Sequence, residues 1–120
     1  MEAKAEKISE KKSGDRNARR MVENVIRCKW SLTVLEQIRS GVNRPGAIER
    51  GVEGLTTKVL NERLRKLVRF GILKKTIFAE IPPRVEYELT DFGKNFTEVL
   101  DAIEQLQSHL ESSEIIWNQK

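Results

Sequence analysis

Cysteine, histidine and long apolar runs are all scarce in this sequence. The 120 residues contain one cysteine, Cys28, and one histidine, His109. A single thiol excludes an internal disulfide, and one cysteine with one distant histidine cannot supply the ligands of a structural metal site. No apolar run approaches the roughly 20 residues that a membrane-spanning helix needs. Residues 1–16 lack the apolar stretch of a secretory signal, so we expect a cytoplasmic protein with no membrane contact, cofactor or metal.

The sequence signatures of common catalytic sites are also absent. The chain has no G-x-S-x-G elbow, no phosphate-binding glycine loop and no glycine-rich dinucleotide fingerprint. No nucleophile has an evident histidine base beside it. We therefore expect that the protein is not an enzyme.

The charge of the chain is distributed unevenly. Apolar residues make up 38% of the sequence, which is enough for one modest core and hence one domain. The net charge is +4, an excess that permits binding to nucleic acid. Between residues 56 and 75 there are seven basic residues and one acidic residue, whereas from Asp91 onward acidic residues outnumber basic ones. The positive charge is therefore concentrated in the middle of the chain.

Apolar spacing divides the first half of the chain into helices. Residues 1–16 alternate lysine and glutamate, which predicts a flexible charged tail, and residues 111–120 are interpreted as a second tail. Two helices are predicted around residues 21–26 and 32–38. Asn43 is expected to cap a short helix whose first turn holds Pro45, and Thr56 to cap a longer helix. A helix, a short turn and a second helix are the outline of a helix-turn-helix.

The second half of the chain predicts a hairpin and a long helix. The segment "ILKKTIFAE", two prolines and the alternating segment "RVEYELT" indicate a β-hairpin, which after a helix-turn-helix forms a wing. Thr90 is expected to cap the final helix. Apolar residues recur on that helix at spacings of three and four, and this seam needs a partner, either the first helix of the same chain or the same helix of a second subunit. The seam consists of Phe92, Phe96, Val99, Ile103, Leu106 and Leu110.

Three blocks of sequence carry a resemblance to a known family. They are Lys29-Trp30, "LNERLRKL" and "IPPRVEYELTDFG", and they lie within residues 19–106. In these blocks the chain resembles the HxlR-type winged-helix transcriptional regulators, relatives of the MarR group. The resemblance implies an α+β winged helix-turn-helix over residues 17–110, with N- and C-terminal dimerisation helices. It also implies a homodimer that binds a pseudo-palindromic operator in double-stranded DNA, with "LTTKVLNERLRKLVRF" as the reading helix and "AEIPPR" as the wing tip.

The chain departs from the family pattern at two places. Many members have a sensory cysteine at the position that Asn17 occupies here, so the resemblance does not imply a small-molecule or redox effector for this chain. Cys28 lies where a glycine usually precedes the Lys-Trp pair. Many members also have an aromatic residue followed by Asn-Glu-Leu where this chain has residues 45–48. This difference puts in doubt the small strand that family members usually have there.

The reading helix supplies most of the predicted DNA contacts. The major groove admits an α-helix, and arginine and asparagine side chains can pair with guanine and adenine. Lys58, Asn61 and Arg65 are predicted to face the bases, while Thr56 and Thr57 suit a phosphate at the helix start. A solvated basic face would produce the same pattern without any function. The predicted DNA-binding residues are Thr56, Thr57, Lys58, Asn61, Arg65, Arg69, Lys74, Lys75 and Arg84.

Two of the candidate residues and the function itself have alternative interpretations. Arg84 can enter the minor groove from the wing tip, or it can pair with Glu80 or Glu86. Cys28 can be a thiol sensor, because neighbouring cations favour a thiolate, or a buried packing residue. The whole domain can bind an operator, or it can be a protein-interaction module. The second function predicts an apolar patch where the reading helix faces outward.

Overall fold

The computed structural model describes residues 16–113 of the chain. Its helices are α1 (Ala18–Arg27), α2 (Ser31–Arg39), α3 (Pro45–Gly51), α4 (Thr57–Arg69) and α5 (Asp91–Ser113). Its strands are β1 (Leu73–Phe78) and β2 (Arg84–Leu89), which form a two-stranded antiparallel sheet between α4 and α5. The observed order is that of a winged helix-turn-helix, as predicted.

The two predicted tails fall mostly outside the described residues. Of the predicted tail at residues 1–16, only Arg16 is described. Helix α5 continues to Ser113, past the predicted end of the domain at residue 110. Within residues 16–113, no helix is both long enough and apolar enough to cross a bilayer.

Side-chain caps set the starts of the two longest helices. Thr56 Oγ1 accepts a hydrogen bond of 3.2 Å from the backbone N–H of Val59 at the start of α4. Thr90 Oγ1 accepts a 2.8 Å hydrogen bond from Gly93 N and donates one of 2.6 Å to the carbonyl of Gly71. Both predicted caps are confirmed, and Thr90 also attaches the start of α5 to the end of α4.

The predicted cap of α3 is wrong. The N-cap residue is Arg44, whose side chain makes no capping bond, and Pro45 occupies the first turn. Pro45 has no N–H, so the start of α3 has one fewer unpaired donor. The carbonyl of Asn43 instead accepts a 2.9 Å hydrogen bond from Tyr87 N on β2. Residues 45–48, where the family's small strand was in doubt, lie in α3 and form no strand.

The core forms where α1, α2, α3 and α4 meet the inner face of the sheet. On α4, Leu60, Leu64 and Leu67 are each at most 1% exposed, so the predicted apolar stripe of this helix is confirmed. Leu73 and Leu89 face each other across the two strands, as do Lys75 and Tyr87. The sheet thereby packs one face on the helices and extends its hairpin outward.

Helix α5 packs into the core only through its first turns. Phe96 is 3% exposed and lies in the core with Leu100. The sequence left two partners open for the seam that contains Phe96, and for this residue the structure shows the partner within its own chain. Beyond Leu100 the helix leaves the core, and its remaining apolar residues are exposed. The exposed members of the predicted seam are Phe92, Val99, Ile103, Leu106 and Leu110.

Candidate nucleic-acid interface

One side of α4 presents polar and basic side chains to solvent. Lys58, Asn61, Arg65 and Arg69 are exposed and recur at spacings of three and four, opposite the buried leucines of the helix. Within the described part of the chain, none of the three cations makes an ion pair. These four residues therefore lie together on an exposed, positively charged surface, as their helical spacing predicts.

The other two cations of α4 turn toward the junction of α1 and α2. Arg63 Nε donates a 2.8 Å hydrogen bond to the carbonyl of Lys29. Lys66 Nζ lies 2.9 Å from Cys28 Sγ. The sequence analysis did not predict these contacts. The partners are separated by 34 and 38 positions along the chain, and no local sequence pattern connects residues so far apart. Arg63 and Lys66 attach the reading helix to the preceding helices instead of facing outward.

The start of α4 differs in part from the expected phosphate site. The Thr56 hydroxyl accepts the capping bond from Val59 N, and the Thr57 hydroxyl donates a 2.6 Å hydrogen bond to Glu49 Oε2 of α3. Both hydroxyls therefore already have partners inside the protein. The cap uses the N–H of Val59, so the backbone N–H groups of Thr57 and Lys58 remain the first-turn donors suited to an anion.

The two wing lysines lie on opposite faces of β1. Lys74 is exposed and lies opposite Glu88 of β2, whereas Lys75 is half-buried on the face of Tyr87. Burial raises the pKa of the Tyr87 phenol, and the positive charge of Arg65 partly offsets this rise. Helix α4 packs against β1, so the helix and the wing lie side by side.

Arg84, at the start of β2, is held by acidic neighbours. Arg84 Nη2 lies 3.0 Å from Glu80 Oε2, and Arg84 Nη1 lies 3.3 Å from Glu86 Oε2. The guanidinium carbon is 4.0 Å from the centre of the Phe78 ring. Of the two interpretations made from the sequence, the structure shows the ion pairs, and it shows them with both glutamates.

Cys28 lies between α1 and the reading helix. Its side chain is half-buried, and Sγ is 3.6 Å from Asn24 Oδ1 as well as in contact with Lys66. Oxidation of this thiol would disturb a contact with α4. The hypothesis of a thiol sensor stays a prediction.

A groove beside α5 adjoins the exposed apolar residues of that helix. Its volume is about 370 Å³, and Ile26, Leu32, Leu35 and Ile103 contribute to its apolar lining. Arg39 of α2 and Asp101 of α5 form a bidentate pair at its edge, with distances of 2.9 and 2.8 Å. The apolar surface of α5 therefore continues into a concave surface on α1 and α2.

Comparison with models of protein families identifies the family of this chain. Residues 25–114 match the model of the HxlR-like helix-turn-helix family. The chain belongs to this family. The resemblance inferred from sequence is thereby confirmed, together with the expectation that this HxlR-like protein is a helix-turn-helix protein and not an enzyme.

Two proteins to which this HxlR-like chain is similar are named as regulators. It is 40% identical over 87 residues to the uncharacterized HTH-type transcriptional regulator sll1512 of Synechocystis, a match covering 72% of this chain and 64% of that protein. The match thus spans slightly less than two thirds of the relative. The redox regulator HypR in its reduced form has a similar structure, with a TM-score of 0.65, 27% identity, and coverage of 80% of this chain and 92% of HypR.

A third comparison supports the fold over most of the HxlR-like chain. The crystal structure of a MarR-family transcriptional regulator from Enterococcus faecalis V583 has a TM-score of 0.74 and 27% identity. The match covers 85% of this chain and 93% of the Enterococcus protein. The α+β winged helix-turn-helix class predicted from the sequence is therefore confirmed.

Proposed function

We propose that the protein is a transcriptional regulator that acts in the cytoplasm as a homodimer and binds a pseudo-palindromic operator in double-stranded DNA. The single observation that carries this proposal is the row of Lys58, Asn61, Arg65 and Arg69. These side chains are exposed together on a helix whose opposite side is anchored in the core.

The chemistry of this row fits the major groove. Lys58 and Asn61 lie in the N-terminal half of α4, which is the part of a reading helix that reaches base edges, and Arg65 follows about one turn later on the same side. Arginine pairs with guanine through two parallel hydrogen bonds, and asparagine does so with adenine. Arg69 and Lys74 lie farther along and serve as phosphate contacts, which position the protein without reading sequence.

The proposed dimer forms through the exposed apolar residues of α5. Val99, Ile103, Leu106 and Leu110 extend beyond the core along one side of the helix, and in water this side favours burial against a second copy. A two-fold dimer places two reading helices in successive major grooves, about 34 Å apart. An operator with two-fold symmetry follows from that arrangement.

Titration with salt tests the proposal against the alternative of a protein-interaction module. Binding to random duplex DNA is measured by fluorescence anisotropy at increasing salt concentration. A protein that neutralises phosphates releases counterions, so we expect the logarithm of the binding constant to fall with a slope of several units against the logarithm of the salt concentration. An absence of binding, or a flat response, would favour the interaction module and reject operator binding.

Two substitutions separate reading from positioning in the same assay. The operator is first selected from random duplex DNA with the wild-type protein. Arg65→Ala should weaken binding to this operator by about 1 to 3 kcal/mol and relax the preference at one base pair. Lys74→Ala should weaken operator and random DNA alike and reduce the salt slope by about one. Equal effects of the two changes on all sequences would contradict the proposed roles.

A further inference from the structure

The first residue of α4 has its hydroxyl turned toward α3. Thr57 Oγ1 donates a hydrogen bond of 2.6 Å to Glu49 Oε2, a carboxylate oxygen of the half-buried Glu49. A hydroxyl that donates to a carboxylate forms a short and strong hydrogen bond, and 2.6 Å lies within the range of such bonds. The hydroxyl of Thr57 is therefore held by α3, although the side chain as a whole is exposed.

This hydrogen bond determines which part of Thr57 faces solvent. Beyond Cβ, a threonine side chain has one hydroxyl and one methyl group, and branching at Cβ restricts rotation about χ1. Because the hydroxyl is turned to Glu49 and the residue is exposed, the methyl group forms the outer part of the side chain. Helix α4 thus begins with a methyl group fixed at its surface.

The same hydrogen bond makes the Thr57 hydroxyl unsuited to the phosphate contact that the sequence predicts. A hydroxyl has a single proton to donate, and here Glu49 accepts it. No proton of this side chain is left for a phosphate oxygen while the bond to Glu49 is intact. The contact that Thr57 offers to a ligand is consequently apolar.

Thr57 lies next to the side chains that we propose to face the major groove. It directly precedes Lys58, and it precedes Asn61 by four positions, a spacing that makes side chains neighbours on a helix surface. Residues at the N-terminal end of a reading helix contact base edges. In the major groove, thymine differs from the other three bases by its C5-methyl group, which threonine can contact through its own methyl group.

We propose that Thr57 contacts the C5-methyl group of a thymine in each half of the operator, and that Glu49 holds Thr57 in the orientation that presents its methyl group. Thr57 then selects a base instead of binding a phosphate. Glu49 is a positioning residue, which acts through Thr57 and does not contact DNA itself. The inference rests on the proposed function, since it requires α4 to lie in the major groove.

Replacement of thymine by uracil in the operator tests the contact from the DNA side. The operator is the one selected by the wild-type protein, and each of its thymines is replaced in turn by deoxyuridine, which keeps the base pair and lacks the methyl group. At one position in each half-site the wild type should lose about fourfold in affinity, the effect of returning one methyl-sized group to water. Fluorescence anisotropy measures the ratio of the two affinities.

Two substitutions of Thr57 separate the methyl group from the hydroxyl. Thr57→Ser keeps the hydroxyl for Glu49 and removes the methyl group, so it should bind the thymine and uracil operators equally. Thr57→Val is the matched control, which keeps a methyl group and removes the hydroxyl, and it should still prefer thymine. The salt slope should be unchanged in both variants, because no phosphate contact is lost.

The role of Glu49 is tested by the same ratio. In Glu49→Ala the threonine is free to turn, so the preference for thymine over uracil should decrease, whereas Glu49→Gln keeps an acceptor oxygen and should retain the preference. The ratio is the appropriate measure, because removing a negative charge near DNA changes the affinity for both operators alike. An alanine variant with the full preference would overturn the positioning role.

Three results would overturn the thymine contact while leaving operator binding intact. The first is an operator in which no thymine is sensitive to the exchange, and the second is a Thr57→Ser variant that still prefers thymine. The third is a Thr57→Val variant whose salt slope is lower by about one, which would show that the hydroxyl binds a phosphate. If the wild type binds no duplex at all, the proposed function and this inference fail together.

Discussion

At the scale of single residues, Gly93 shows how closely α5 approaches the end of α4. A Cβ atom added at this position would lie 2.0 Å from the carbonyl oxygen of Ile72, much closer than any real contact. The same junction is joined by the hydroxyl of Thr90, which bonds to the carbonyl of Gly71. Helix α5 therefore begins directly on the link between α4 and the wing, and only glycine allows this approach.

We predict that Gly93→Ala destabilises the protein in spite of the higher helix propensity of alanine. The higher helix propensity of alanine contributes about 1 kcal/mol. Overpacking of a core by an added methyl group costs about 1 to 3 kcal/mol, and overlap with the backbone should cost at least as much. The free energy of unfolding in urea measures the balance. Gly46→Ala in α3 is a matched control, because its new Cβ would meet the end of the flexible Arg50 side chain at 3.3 Å. A Gly93→Ala variant as stable as wild type would contradict the close approach.

At the scale of elements, α4 and α5 each divide their side chains between two tasks. The leucines of α4 hold it in the core, Arg63 and Lys66 attach it to the α1–α2 junction, and its remaining cations face solvent. Helix α5 buries Phe96 and Leu100 and leaves its later apolar residues exposed. The second half of α5 contributes little to the core of its own chain and is suited to assembly.

We predict that Leu106→Glu produces a monomer that remains folded. Leu106 is 64% exposed, so its replacement removes little burial within the chain, whereas a carboxylate in an apolar dimer seam would be costly. Light scattering after size-exclusion chromatography gives the mass. Gln105→Glu, one position away and also exposed, adds the same charge beside the seam and should stay dimeric. A dimeric Leu106→Glu variant would place the dimer interface elsewhere.

At the scale of the whole molecule, an ion pair connects the helix-turn-helix to α5. Arg39 on α2 and Asp101 on α5 are 62 residues apart and share two hydrogen bonds. Hydrogen bonding by Arg39, together with its positive charge, lowers the pKa of the Asp101 carboxyl below its ordinary value. The pair bridges α5 and α2, and in the proposed dimer the angle between α5 and the helix-turn-helix sets the spacing of the two α4 helices.

We predict that Asp101→Asn reduces the acid sensitivity of stability. Because the folded pKa of Asp101 is depressed, its contribution is fully present above the ordinary carboxyl pKa and is lost as pH falls through the lower folded value. The effect is small, since both side chains are partly exposed and screened. Urea unfolding at several pH values between 7 and about 3 should show the variant and the wild type converging at the acid end. Glu104→Gln is the control, and a gap that widens toward low pH would contradict the pairing.

Much of the fold follows from local patterns of sequence. The leucine spacing of α4, the caps at Thr56 and Thr90 and the alternation of Val85, Tyr87 and Leu89 act between near neighbours in the chain, so they can be read without coordinates. The same holds for the outward position of Lys58, Asn61 and Arg65, because helical periodicity places them opposite the buried leucines. The sequence by itself thus determined the order of elements, the family and the exposed basic row.

The tertiary structure decided which partners those side chains meet. The spacing of Phe96 assigns it to the α5 seam, yet its side chain is buried in the core of its own chain because the start of α5 packs there. Arg63 and Lys66 contribute to the basic character of α4 but bind groups at the α1–α2 junction, and the ion pair of Arg39 with Asp101 joins distant segments. Periodicity defines the direction of a side chain relative to its own helix, whereas the packing of elements far apart in the chain defines what lies in that direction.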